Sequence, residues 1–123
     1  MAFLTDKNRV LGLGSAKDGT EHWWAQRVSA IALIPLAVLF VIPFAHNLGQ
    51  GYDRAVEAYS HPVNAIVAIL FFITAFHHLK LGMQVVVEDY VHGPWRTVLL
   101  LANTMFAWVF GLTGVFAVAK IAL

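Results

Sequence analysis

The sequence predicts an all-α integral membrane protein with three transmembrane helices, on the evidence of its composition and of three long apolar segments. Of its 123 residues, 59% are hydrophobic and only 12% are charged. Soluble domains are about half apolar and about a quarter charged. A surface so poor in charge would not keep a small soluble domain dissolved, so the apolar excess indicates a lipid environment.

Each of the three apolar segments is long enough to cross a bilayer, which takes roughly 20 mainly apolar residues. Residues 28–45 and 97–119 contain no charged residue, and residues 63–87 contain only Lys80. We expect helices at about residues 24–45, 62–88 and 96–121 within a single membrane domain, residues 1–123, with residues 1–21 forming a polar arm. Pro35 and Pro43 are expected to bend the first helix without ending it.

The basic residues predict the orientation of the three helices. If the N-terminus is inside, five basic residues outside the apolar segments are cytoplasmic: Lys7, Arg9, Lys17, Arg27 and Arg96. Two are on the other side of the membrane: Arg54 and Lys120. Because cytoplasmic loops carry the excess of Lys and Arg, we predict a cytoplasmic N-terminus and a periplasmic C-terminus. A cleaved signal peptide is disfavoured, since 27 polar or mixed residues precede the first apolar segment.

Charge and cysteine content exclude several classes of function. The net charge of +1 and the absence of a basic cluster argue against a nucleic-acid partner. The chain has no cysteine, which excludes disulfides, thiolate metal sites and covalent attachment of c-type haem. Redox chemistry would therefore require a cofactor with other ligands, or a partner.

The second helix carries the ionisable residues that point to function. It contains His77, His78 and Lys80, and ionisable groups within a spanning helix are functional candidates. The flexible stem of Lys80 can bring its ammonium towards the cytoplasmic interface. His78 is the better candidate ligand, because Gly82 lies one turn later on the same face and leaves room for a flat ring, whereas His77 shares its face with larger side chains.

A ligand role for His78 is compatible with haem. Zinc usually takes three or four protein ligands, and apart from His77, which is on another face, no other histidine or carboxylate lies at the same depth in this sequence. Haem needs only one or two axial ligands. The alternatives that stay open are a histidine hydrogen-bonded across helices and a proton relay or other metal site.

Asp89 and Tyr90 lie at the cytoplasmic end of the His78 face. Eleven residues separate Asp89 from His78, which is about 20° more than three full turns. A tyrosine hydroxyl beside a carboxylate can hydrogen-bond a quinone carbonyl and supply protons. The alternative is an interfacial tyrosine next to a solvated acid. The third helix offers no such residue, and its Ala107, Gly111 and Gly114 favour close helix packing.

These residues carry a resemblance to a known family. The run from His78 through Gly82 to Asp89, Tyr90 and His92-Gly93 resembles the hydrophobic membrane-anchor subunit of succinate dehydrogenase, the respiratory complex II. That family has a haem-ligating histidine 11 residues before an Asp-Tyr pair, often followed by Val-His-Gly. The segment at residues 22–30 also resembles the stretch that enters the family's first helix.

The resemblance implies specific roles and partners. His78 would be one axial ligand of haem b, with the other from a second anchor subunit. Tyr90 would hydrogen-bond ubiquinone, Asp89 would tune Tyr90 and the proton supply, and Arg27 would pair with a haem propionate or border the quinone pocket. An iron–sulfur subunit and a flavoprotein subunit that oxidises succinate would complete the complex in a bacterial inner membrane. A fumarate reductase anchor and a cofactor-free structural membrane protein are the alternative functions.

Overall fold

Three long apolar helices and one short helix make up the structure. A computed structural model describes residue 10 and residues 16–123, with only the backbone described for residues 16–19. Residues 16–123 form α1 (Ala16–Asn47), α2 (Tyr52–Ser60), α3 (Pro62–Tyr90) and α4 (Pro94–Ala122). Helical segments over Thr20–Asn47, Pro62–Tyr90 and Pro94–Ala122 are long and apolar enough to cross a membrane. The predicted all-α, three-span fold is confirmed.

The helix ends follow local backbone chemistry. Pro62 and Pro94 open α3 and α4, where a proline costs no backbone hydrogen bond and its fixed φ suits a helix. Gly93, with φ of +71°, turns the chain between these two helices, a conformation that side-chain-bearing residues avoid. α1 continues through Pro35 and Pro43 without a break.

Two features of the fold differ from the expected boundaries. α1 begins at Ala16, earlier than the expected start near residue 24. The rest of the expected N-terminal arm, residues 1–9 and 11–15, lies outside the described residues. The short helix α2 was not predicted, because nine residues are too few for a clear apolar period to stand out in a polar loop.

α3 is the central helix of the bundle. α1 and α4 each pack along α3, and in the part of the chain that the structure describes they do not contact each other. Near α2, the buried core consists of Tyr59, Ala65, Ala68 and Val118. Phe40 of α1 stacks on Phe71 of α3 with 4.4 Å between ring centroids. Most other long apolar side chains are exposed, as expected for a surface covered by lipid or by other subunits.

Small residues on α4 let it approach α3 closely. A Cβ atom added to Gly111 would lie 3.3 Å from Cβ of Phe76, and one added to Gly114 would lie 2.7 Å from Cδ1 of Phe72. The second distance is well inside van der Waals contact. The packing role predicted for these glycines is confirmed.

Candidate functional site

The imidazole of His78 lies between α3 and α1, with a partner on each ring nitrogen. Nδ1 is 3.0 Å from the Ser29 hydroxyl oxygen. Nε2 is 3.3 Å from Nε2 of Gln26. Ser29 is buried, with 6% of its surface exposed, and His78 is half-buried. The histidine that the sequence singled out therefore faces polar side chains of the first helix and not lipid.

The Ser29 hydroxyl determines which ring nitrogen carries the proton. Its oxygen is 2.7 Å from the carbonyl oxygen of Ala25 and 3.1 Å from that of Gln26. A carbonyl only accepts, so the single hydroxyl hydrogen is donated to the backbone of α1. The hydroxyl oxygen then accepts from Nδ1–H of His78, and Nε2 is left as the ring's acceptor. This assignment follows from the hydrogen-bond network, which is how histidine tautomers are inferred.

The space that a side chain at position 82 would occupy is bordered by α1. A Cβ atom added to Gly82 would lie 3.3 Å from Nε2 of Gln26. The missing side chain thus gives Gln26 access to His78, and the Gln26 amide lies in the space that the sequence suggested for a flat ring. The Gln26 side chain has three rotatable χ torsions, so the covalent geometry of α1 does not fix its amide on Nε2.

A polar face on α1 was not identified from the sequence. His22, Gln26 and Ser29 are spaced by four and three residues, so they share one side of the helix. Among the described residues, Nε2 of His22 and Oε1 of Gln26 are buried without a hydrogen-bond partner. The sequence did contain an indication of this face, because polar residues recur at helical spacing where the first apolar helix begins.

His77 points to the other side of α3. It lines a crevice of about 170 Å³ between α3 and α4, together with Phe76, Lys80 and Trp108. This groove was not expected, because helix periodicity describes one helix and the crevice is formed by two. The two adjacent histidines therefore occupy different environments, and of the two it is His78 that hydrogen-bonds to α1.

Asp89 and Tyr90 are exposed at the end of α3. Tyr90 has 79% of its surface exposed, and Asp89 is also exposed. The preceding acid, Glu88, accepts a hydrogen bond of 2.9 Å from Nε2 of Gln84. Asp89 and Tyr90 are therefore accessible to a group outside this chain.

Arg27 lies on the exposed side of α1. Its guanidinium carbon is 5.3 Å from the ring centroid of Trp23, within the range of a cation–π interaction. The hydrogen bonds to His78 come from its neighbours in sequence, Gln26 and Ser29. The structure thus does not bring Arg27 together with His78, although it leaves the guanidinium open to a group from outside.

The residues that the structure describes contain no group of three or more His, Cys, Asp or Glu side chains positioned around a common metal. What they contain is the half-buried imidazole of His78, hydrogen-bonded from α3 to α1, and the half-buried imidazole of His22 on α1, in a bundle of three apolar helices. This combination defines a multi-pass membrane protein with a histidine site at His78 between two spanning helices.

The chain belongs to the family described as succinate dehydrogenase/fumarate reductase transmembrane subunit, which matches residues 1–117. It is 32% identical over 123 residues to the succinate dehydrogenase hydrophobic membrane anchor subunit of Paracoccus denitrificans, a match that covers 100% of this chain and 95% of that relative. No solved structure matches it. The family that the sequence motifs indicated is confirmed.

Proposed function

We propose that this chain is a membrane-anchor subunit of a succinate:ubiquinone oxidoreductase in a bacterial inner membrane, with its N-terminus cytoplasmic and its C-terminus periplasmic. In such a complex a flavoprotein oxidises succinate, an iron–sulfur subunit carries the electrons, and two anchor subunits bind haem b and ubiquinone. Membership of the family supports this role. The matched relative is a succinate dehydrogenase anchor, which favours succinate oxidation over fumarate reduction.

The state of His78 is the observation that carries the haem proposal. A histidine binds iron through a nitrogen that holds no proton, and second-shell hydrogen bonds on the other nitrogen fix that tautomer. Ser29 provides such a bond at Nδ1. His78 Nε2 is then available once the Gln26 amide moves aside, so the residues present fit a haem ligand. Bound haem would supply one-electron redox chemistry.

His78 would supply one axial ligand of haem b from this chain, and a second anchor subunit would supply the other. Haem takes one or two axial ligands, and of the two adjacent histidines of α3 it is His78 that hydrogen-bonds to α1. The exposed apolar surface of α1 and α3 provides the area against which a second anchor subunit would pack.

The quinone part of the proposal is based on Tyr90 and Asp89. The phenol of Tyr90 can donate a hydrogen bond to a ubiquinone carbonyl, and Asp89 beside it can hold or release a proton from the cytoplasm. Both lie at the end of α3 that the positive-inside rule assigns to the cytoplasmic side, where an iron–sulfur subunit would dock. Arg27, exposed near the same end, would border this pocket or pair with a haem propionate.

The experiment that tests the quinone role is Tyr90→Phe in the assembled complex. Loss of one hydrogen bond to a reacting quinone is expected to lower succinate:ubiquinone turnover by roughly tenfold, while succinate oxidation by an artificial soluble acceptor is unchanged. Tyr52→Phe is the matched control, since Tyr52 is an equally exposed tyrosine at the opposite end of the bundle, with 75% of its surface accessible. Unchanged quinone turnover in Tyr90→Phe would contradict the assignment.

A further inference from the structure

A groove between α3 and α4 has an apolar half and a polar half. The apolar half is the crevice of about 170 Å³ near the middle of both helices, lined by Ile73, Phe76, Trp108, Gly111 and Leu112 among others. The second half, called the polar half here, has a volume of about 300 Å³ and lies nearer the α3–α4 loop. It combines the polar residues Gln84, Thr97, Asn103 and Thr104 with Leu100 and Leu101. Lys80 lines both halves, so the two adjoin at this side chain along the α3–α4 surface.

Lys80 brings a positive charge to this groove. Among the side chains that the structure describes, the only ion pair is between Arg54 and Glu57, so Lys80 has no acidic partner there. The nearest acid along its own helix, Glu88, is eight residues away, a rise of about 12 Å, and it is hydrogen-bonded to Gln84. A cation inside a membrane segment without an acid nearby favours a ligand of opposite charge.

Asn103 holds the wall of the groove in place. Its side-chain amide donates a hydrogen bond of 2.9 Å to the backbone carbonyl oxygen of Lys80, which ties α4 to α3 at the junction of the two halves. The amide has a second hydrogen, and Thr97 and Thr104, whose hydroxyls are donors, line the same half. The polar half therefore contains neutral hydrogen-bond donors next to one cation.

From this arrangement we infer that the groove binds one anionic phospholipid from the leaflet on the side of the α3–α4 loop. The phosphate lies in the polar half, within reach of the Lys80 ammonium and of the hydroxyl and amide donors. One acyl chain lies in the apolar half against Phe76, Trp108 and Leu112. A phospholipid fits both halves of the groove, since its charged headgroup would lie in the polar half and its acyl chain in the apolar half.

A helix from another subunit fits this groove less well. To satisfy Lys80 it would have to carry a carboxylate into the bilayer, which is costly. The apolar half has a volume of only about 170 Å³, and a flexible acyl chain fills such a space more readily than the side chains of a rigid helix. The occupant is therefore assigned as lipid.

The lipid site is separate from the His78 site. Lys80 follows His78 by two residues, a rotation of about 200° around the helix axis, and the two groups face α4 and α1 respectively. A change at Lys80 is expected to leave the visible spectrum of any haem at His78 unaltered. An experiment can therefore contradict lipid binding at Lys80 without contradicting haem binding at His78, and the reverse.

Native mass spectrometry of the purified complex, delipidated in mild detergent, tests the inference. Phosphatidylglycerol and phosphatidylcholine with identical acyl chains are titrated into the wild type, Lys80→Gln, Lys80→Arg and Lys120→Gln. Lys120→Gln is the matched control, because Lys120 is an exposed cation at the other end of α4. Thermal unfolding of each variant confirms that the fold is intact.

We expect one tightly bound phosphatidylglycerol in the wild type, in Lys80→Arg and in Lys120→Gln. In Lys80→Gln the preference for phosphatidylglycerol over phosphatidylcholine is expected to fall by roughly fivefold or more. This is the effect expected when a protein loses one basic residue that interacts with anionic lipid. Leu112→Trp, which fills the apolar half, is expected to weaken both lipids. An undiminished preference in Lys80→Gln would overturn the inference.

Two further results would also overturn it. Soluble glycerol phosphate at millimolar concentration should not displace the lipid, and displacement would identify a free-phosphate site. The chain contains no cysteine, so Leu101→Cys, at an exposed position on the polar half, can carry a single photo-crosslinker. Capture of phospholipid in the membrane supports the inference, whereas capture of a protein partner contradicts it.

Discussion

The Ser29 hydroxyl oxygen lies 3.0 Å from Nδ1 of His78 and 2.7 Å from the carbonyl oxygen of Ala25. One buried hydroxyl therefore connects the imidazole of α3 to the backbone of α1. The contact orients the ring and leaves Nε2 as an acceptor, which is the state in which a histidine can bind iron. Ser29 would thus act on the proposed haem only through His78, as a positioning residue.

Ser29→Ala is expected to weaken haem retention by roughly tenfold, the usual cost of removing a second-shell hydrogen bond to a ligating histidine. The measurement is the ratio of haem to protein in the purified complex, together with the position of the reduced haem band. Ser29→Thr keeps the hydroxyl and should restore both values. Full haem content and an unshifted band in Ser29→Ala would contradict the positioning role.

Gly114→Ala is expected to destabilise the bundle by about 1–3 kcal/mol, the range for an overpacked contact. The new Cβ atom would lie 2.7 Å from Cδ1 and 2.8 Å from Cγ of Phe72, and Cγ is too near the backbone to move away easily. Thermal unfolding in detergent measures the effect. Gly111→Ala is the matched control, since its closest contact would be 3.3 Å, and it should cost less. Equal effects of the two changes would contradict this packing account.

Because of Tyr59 in α2, we expect the stability of the protein to fall at alkaline pH. Burial raises the pKa of the Tyr59 phenol above its usual value of 10.0. The pKa of Tyr59 is therefore higher in the folded protein than in the unfolded one. The protonated phenol contributes stability that is complete below about pH 10 and is lost as pH rises through the folded-state pKa. Melting curves between about pH 8 and about pH 11 should show this loss.

Tyr59→Phe should remove that pH dependence. The Tyr59 hydroxyl is buried without a hydrogen-bond partner among the described residues, so its removal is expected to be neutral or to stabilise the protein by up to about 1 kcal/mol. Tyr52→Phe, at an exposed position, should leave the pH profile of the wild type unchanged. Marked destabilisation by Tyr59→Phe at neutral pH would show that the hydroxyl has a partner.

The sequence was sufficient to predict the spans, because each depends on the composition of a single segment. It also distinguished His78 from His77 through the neighbouring Gly82, and the structure places these two histidines on different sides of α3. Gln26 and Ser29 were not predicted as partners of His78, because contacts between helices depend on the rotation of each helix about its axis. The groove at Lys80 was missed for the same reason, since residues of α3 and α4 form it together.

The central claim, that His78 of this chain is an axial ligand of haem b in an assembled complex, is tested most directly by a dithionite-reduced minus oxidised spectrum. The tagged chain is purified in mild detergent as wild type, His78→Ala and His77→Ala. We predict a b-type haem band and co-purifying flavoprotein and iron–sulfur subunits for the wild type and for His77→Ala, and loss of most of the band in His78→Ala. Full haem content in His78→Ala, or a colourless wild-type chain without dehydrogenase subunits, would contradict the account.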